Sequence, residues 1–391
     1  MPLFETQEYL DRIQKVKLSM EANGIDVLIA SDPANMNYLT GYDGWSFYVP
    51  QVVAVALEDE QPLWIGRGMD AKGARHTTFL SNDRIVGYPD QYVQNPVKHP
   101  MNFVAEELKR RGWSQKSIGL ELDAYYFSAR SYIELQNDLP DARFKDGNLL
   151  VSWVRLVKSP AEIAYMKQAG RIVEQVMQTA IDTVAPGVRE CDAVAEIVRA
   201  QIKGTEEFGG DYTAIVPMMP TGEKTATPHL TWTDEPYQNE TAVNLELAAC
   251  RNRYHSPLAR TMYLGSNPPR KLTDTAVIVV EGLYAALDAI KPGVMCEEIE
   301  LVWRRIISRA GLEKESRIGY AMGLNYPPDW GEHTASLRPG DKTVLEPNMT
   351  FHMILGMWMD DWGFECSESL RVTESGSETF ADFPRKLFIK S

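Results

Sequence analysis

The chain has 391 residues, 44% hydrophobic and 24% charged, with a formal net charge of −14. That acidic balance excludes a nucleic-acid surface, which needs a basic face. No apolar stretch reaches the length of a membrane span, and the length suits two domains of ordinary size. The first twenty residues carry acidic side chains and no apolar core, so no signal peptide is expected. Cys191, Cys250, Cys296 and Cys366 lie far apart with no CxxC pair. They read as reduced, packed cysteines of a cytoplasmic protein.

Apolar residues at Tyr9, Leu10, Ile13, Val16 and Met20 predict a helix over 5–23, closed by Gly24. A strand over 25–30 follows, then a helix start at Asp32-Pro33 and a short helix over 35–39. Residues 40–48 form a loop with two glycines and four aromatics, a pattern that favours contact with something outside the loop. Residues 52–57 and 61–65 predict a hairpin. A helix near 99–111, a strand over 117–121 and a helix near 126–138 complete an alternating α/β pattern, which closes at Asn148–Trp153.

The stretch RLVKSPAEI at 155–163 reads as a joint, with the boundary near 155. Ser159 caps a helix, Pro160 suits its first turn, and Glu162 completes a capping box. An internal echo follows: residues 180–188 and 286–294 each run a helix into Pro-Gly-Val, and helices over 191–202 and 296–310 come next. Strands are expected at 212–219 and 242–265 in the first half, and at 318–322, 350–355 and 364–372 in the second. Two homologous halves with a site between them, built as a mixed sheet with helices on one face, fit this order.

The centre of the second part is AVNLELAACRNRYHSPLARTMYLG at 242–265. It buries Glu246 within an apolar strand, which is costly without a cationic or hydrogen-bonding partner. A hairpin here is expected to bring Glu246, His255 and Arg260 into one neighbourhood.

The joint RLVKSPAEI, the PGV helix turns, the LEPNMTF run and the closing ESLRVTESG resemble the creatinase/aminopeptidase P/prolidase family. The resemblance implies a creatinase-like α/β N-terminal domain over 1–155. It also implies an α+β pita-bread catalytic domain over 156–391, with internal pseudo-two-fold symmetry. The metallopeptidases of that family hold two metals with five side chains. Carried over one at a time, those positions fall on Glu246, Pro257, Tyr320, the neighbourhood of Ile354, and Ser367. Pro, Ile and Tyr cannot replace the lost carboxylates and imidazole as ligands for divalent ions. The resemblance therefore narrows to the metal-free branch typified by creatinase, with no metal and no cofactor. The essential His of creatinase falls on His229, its first substrate-gripping Glu on Ala259, and its second near Glu365 or Cys366, which points away from creatinase itself.

What the resemblance implies is hydrolytic opening of a small zwitterion that carries a delocalised cation. Such a ligand needs an anion, a donor for its carboxylate and an aromatic wall. Glu246 is the expected anion, attacking the substrate carbon or activating a water. His255 and His229 are the expected proton-transfer groups. Tyr212 and Tyr320 are expected to donate hydrogen bonds, Glu365 to hold a nitrogen, and His352 to point in from the strand of the lost glutamate. In creatinase-like homodimers the N-terminal domain of one subunit closes over the site of the other. Tyr42, Trp45 and Phe47 on the aromatic loop are the expected lid. The competing readings are a metal-dependent peptidase or lyase of the same fold with unusual ligands, and a catalytically inactive binding module.

Overall fold

A computed structural model of the chain describes residues 2–147 and 149–391; Asn148, expected at the end of the first domain, lies outside them. The chain divides into two compact units, Met1–Arg155 and Leu156–Ser391.

The first unit runs α1 Thr6–Ala22, β1 Val27–Ala30, α2 Pro33–Thr40, β2 Val52–Ala56, β3 Leu63–Arg67, α3 Ala71–Thr77 and β4 Ile85–Tyr88. It continues with α4 Pro100–Arg110, β5 Ser117–Leu120, α5 Ala129–Asp138, β6 Arg143–Asp146 and α6 Leu150–Val154. The Asp32 side chain caps α2 by accepting from the amides of Ala34 and Asn35, which is why the chain turns helical there. The six strands form one sheet in the order β4-β3-β2-β1-β5-β6. β2 and β3 pair antiparallel as the expected hairpin, and β1 lies parallel to β5.

The second unit repeats one plan twice. Its first half is α7 Pro160–Thr183, α8 Glu190–Lys203, β7 Thr241–Arg251 and β8 Tyr254–Leu264. Its second half is α9 Arg270–Ala289, α10 Cys296–Arg309, β9 Gly319–Met322, β10 Gly331–Leu337, β11 Thr350–Trp358 and β12 Gly363–Val372. The short strands β13 Ser377–Thr379 and β14 Phe388–Lys390 close the chain. Each helix pair turns at a Pro-Gly step whose glycine is left-handed, Gly187 at φ 82° and Gly293 at φ 88°. Ser159 and Glu162 form the capping box expected at the start of α7. The chain therefore has the expected two-domain pita-bread fold.

Two details of the strand plan differ from expectation. The mixed sheet is two sheets, β14-β8-β7 and β10-β9-β11-β12-β13. The expected strand at 212–219 is irregular chain that meets β7 through single bridges, Met218 to Glu246 and Thr221 to Val243. β-propensity in a short run gives way when the chain is needed as a cover for one edge of β7.

Helices α7 and α8 pack on Val243, Leu245 and Leu247 of β7 and on Leu258 and Met262 of β8. Helices α9 and α10 pack on Phe351, Met353 and Leu355 of β11 and on Phe364, Cys366 and Leu370 of β12. With side chains alternating along a strand, the other residues of all four strands face away from the helices.

Gly170 lies inside α7, and a Cβ there would sit 2.0 Å from the carbonyl oxygen of Phe380. An exposed helical glycine gains stability on change to alanine. Gly170→Ala should instead lose about 2 kcal/mol or more through overpacking against backbone, read as a lowered denaturation midpoint.

Candidate active site

The face turned away from the helices carries Asn244, Glu246 and Ala248 from β7, and His255, Pro257, Ala259 and Thr261 from β8. It also carries His352, Ile354 and Gly356 from β11, and Glu365, Ser367 and Ser369 from β12. Their register is set by two ladders, Glu246 opposite Ala259 and Gly356 opposite Glu365. The Asn252-Arg253 turn, with both residues left-handed at φ 51° and 69°, fixes the first.

β8 and β12 meet without a backbone ladder. Instead, hydroxyls join them at every second residue. Ser369 Oγ donates to the Pro257 carbonyl at 2.5 Å. Ser367 Oγ accepts from the Ala259 amide at 2.6 Å, and Thr261 Oγ accepts from the Glu365 amide at 2.8 Å. On the opposite face Arg260 crosses the same seam. Its guanidinium donates to the Ala259 and Ser367 carbonyls and pairs with Glu368 at 2.7 Å, both side chains fully buried. Arg260 was expected beside Glu246. Strand alternation puts it on the helix side instead, where it is structural.

A chain of neutral groups runs across the site. Ser367 Oγ accepts from the Ala259 amide and is hydrogen-bonded to His352 Nε2, 2.8 Å away. Burial drops the His352 pKa to about 3, keeping the ring neutral. His352 Nδ1 is hydrogen-bonded to Tyr320 Oη at 2.9 Å, and the Trp330 indole donates to the same oxygen at 2.7 Å. Burial first, and the charge of Glu246 second, hold the Tyr320 phenol well above the usual range, so its proton stays on.

Two carboxyl groups lie on this face. Glu246 is 6% exposed, and its carboxyl accepts no hydrogen bond among the described residues; burial lifts its pKa to about 7. Glu365 is 1% exposed, and its Oε2 is buried without a partner. Burial and the charge of Glu246 push Glu365 well above the usual carboxyl range, while Lys314 pulls it back. Two such groups in one field separate into one ionised and one protonated acid.

The other expected site residues fall elsewhere. His255 shares the face of Glu246 but stands opposite Cys250, four residues along β7, roughly 14 Å away at strand spacing. Its Nε2 accepts from the Ala214 amide at 2.9 Å, its Nδ1 faces the Gly323 carbonyl, and burial lowers its pKa to about 4. With both nitrogens engaged by backbone, it holds structure rather than moving protons. His229 is exposed on the loop after residue 226, four residues beyond Thr225, which is hydrogen-bonded to Asn244 and Gly363. Tyr212 lies at the turn end of the hairpin, its ring 3.8 Å from the Arg253 guanidinium. In the first unit, Tyr42 is buried, its hydroxyl donates to Gln51 at 2.9 Å, and its ring packs on Trp64; it is a core residue there. Trp45 is 61% exposed beside Phe47, which also meets Tyr126. Cys366 faces the helices, so Glu365 is the acid of that pair on the site face. Sequence reasoning did not find Trp330 or Lys314. No motif marks either, and only their neighbours give them meaning.

The inherited metal positions fail a test of fit. Pro257 and Ile354 offer no side-chain donor atom, and the hydroxyls of Tyr320 and Ser367 are engaged in the neutral chain. Among the described residues no three His, Cys, Asp or Glu side chains gather to hold an ion. The dinuclear centre of the metallopeptidases does not fit these residues.

Comparison with known proteins defines the class. The model of metallopeptidase family M24 matches residues 164–374, and that of the creatinase/prolidase N-terminal domain matches residues 12–157. The chain belongs to this family and is a hydrolase of carbon–nitrogen bonds. Among individual relatives, it is 48% identical to the ectoine hydrolase of Halomonas elongata over 99% of this chain and 98% of that one. It is 25% identical to a Xaa-Pro dipeptidase of Lactobacillus helveticus over 96% of this chain and 98% of that one. A crystal structure of prolidase from Thermococcus sibiricus shares the fold at a TM-score of 0.84 and 19% identity, covering 98% and 100% of the two chains.

A raised carboxyl pKa has a stability signature of known sign. Folded Glu246 gives up its proton near 7 rather than 4.5, so the folded state loses stability as pH rises through that window. Glu246→Gln should therefore match the wild type at pH 4 and exceed it at pH 8, by up to about 3 kcal/mol, in denaturant melts at the two pH values.

Proposed function

We propose that this protein hydrolyses ectoine, opening its cyclic amidine to an N-acetylated 2,4-diaminobutyrate, without a metal. The observation that carries the reading is the pair of buried carboxyls on one face of the seam, one with an oxygen that lacks a partner. An amidinium ring supplies the missing N–H donor and the positive charge. The resemblance to the Halomonas elongata enzyme runs through both domains and supports the choice of substrate.

In this reading the Glu246 carboxylate bonds to the ring carbon between the two nitrogens. The carbon–nitrogen bond then breaks, and the departing nitrogen takes the proton of Glu365. Water attacks the resulting ester of Glu246, giving a proton to the Glu365 carboxylate. The carbon–oxygen bond to Glu246 breaks and releases the acetamide, while the freed amine collects the last proton through solvent. Tyr320, held by His352 and Trp330, donates to the substrate carboxylate. The active form is a cytoplasmic homodimer, in which Trp45 and Phe47 of one subunit border the site of the other. The exposure of Trp45 and of Tyr48, at 64%, supports that placement.

Chelator-treated protein should consume ectoine at the untreated rate, with the acetylated diamino acid found by mass spectrometry. Loss of activity that returns with added metal would defeat the reading. Glu246→Gln should lower kcat/KM by about 10³-fold and Glu365→Gln by about 10²-fold. Acid-quenched turnover should show a substrate fragment on Glu246. If Glu246 is essential and no fragment forms, it activates water instead. A variant held monomeric should stay folded and lose turnover, as measured by sedimentation and assay together.

A further inference from the structure

Lys314 belongs to no motif. It lies on the irregular chain between α10 and β9, with Glu313 and Glu315 beside it turned to solvent. Lys314 alone turns inward and is 7% exposed. Its ammonium donates to the Gly356 carbonyl at 2.6 Å and lies 4.0 Å from the centre of the Trp358 ring. Gly356 is the residue directly opposite Glu365 in the β11–β12 ladder. A groove of about 530 Å³ borders Lys314, with Arg338, Glu313 and Glu315 among its walls.

Burying an ammonium against one carbonyl and one indole is expensive, and a methionine would fill the space more cheaply. The arrangement becomes intelligible through what it faces. The ionisable groups acting on Glu365 are Glu246 from β7, which opposes its ionisation, and Lys314, which favours it. The group that most steadies the Lys314 charge is Glu365 in turn, against a burial that lowers the ammonium to about 7.

We infer that Lys314 is a positioning residue for the reaction, the counter-charge that lets Glu365 release its proton to the departing nitrogen. This rests on the role given to Glu365 under the proposed function. As the proton leaves, a carboxylate forms where Glu246 already disfavours one, and the ammonium beside Gly356 offsets the new charge. The stabilisation is larger in the transition state than in the resting enzyme, so it acts on kcat rather than on KM. Fastening the loop to Gly356 is the structural alternative, and it would leave the acidity of Glu365 unmoved.

The test reads that acidity directly and needs no substrate. The carbonyl stretch of protonated Glu365, identified by its loss in Glu365→Gln, is titrated by difference infrared spectroscopy in wild type, Lys314→Arg and Lys314→Met. The midpoint should rise by about one pH unit in Lys314→Met, a tenfold loss of acid strength, and stay in place in Lys314→Arg. On ectoine, kcat should fall about tenfold in Lys314→Met with KM unchanged, and Lys314→Arg should restore it. An unmoved infrared midpoint in Lys314→Met overturns the inference. Should that variant not fold, Lys314→Gln takes its place in the infrared titration, with the same rise expected and an unmoved midpoint overturning the inference. Wild type that leaves ectoine untouched sinks the proposed function and leaves the infrared comparison standing as its own test.

Discussion

Where β8 meets β12, side-chain hydroxyls stand in place of a backbone ladder. Ser369, Ser367 and Thr261 reach across at every second residue, and Arg260 with Glu368 binds the same seam from behind. These bonds fix the two half-sheets against each other, so that Glu246 of one and Glu365 of the other share the face turned away from the helices.

The same seam explains how one fold can carry two chemistries. In the metallopeptidases of the family, ions neutralise a group of acidic ligands. Here the inherited positions carry Pro257, Tyr320, Ile354 and Ser367, and neutral hydrogen bonds fill the space from Trp330 to the Ala259 amide. A neutral network cannot offset buried negative charge, so burial raises the pKa of Glu246, and burial with the charge of Glu246 raises that of Glu365. That is an unfavourable state for an empty protein and a favourable one for a cavity that awaits a cation. Lys314 sits at the far end of this balance, where burial weakens its charge without removing it.

Much of the fold was legible. Periodicity located α1, α7 and both helix pairs, because their apolar residues recur at helical spacing and their Pro-Gly turns demand left-handed glycine. The β7–β8 hairpin was legible because a two-residue turn separates two apolar runs. In the candidate site, Glu246 was expected from a carboxylate inside an apolar strand, and Tyr320, His352 and Glu365 from the family resemblance. It was illegible for His255. A titratable ring next to a buried acid in sequence says nothing of the four residues of register that separate them. The segment at 212–219 has strand-like residues, yet its backbone is called on to cover an edge, and only single bridges form.

By itself the sequence determined the order of elements, the repeated half, the absence of side-chain donor atoms at the inherited ligand positions Pro257 and Ile354, and the presence of acids on buried strands. These follow from local pattern and residue chemistry, which need no neighbours. Tertiary structure alone decided that Arg260 lies behind the sheet, that Cys366 faces helices while Glu365 faces the site, and that Lys314 turns inward beside Gly356. Each of those outcomes depends on strand parity and on contacts between segments as much as 108 residues apart. A one-residue change of register would reverse them with the composition untouched.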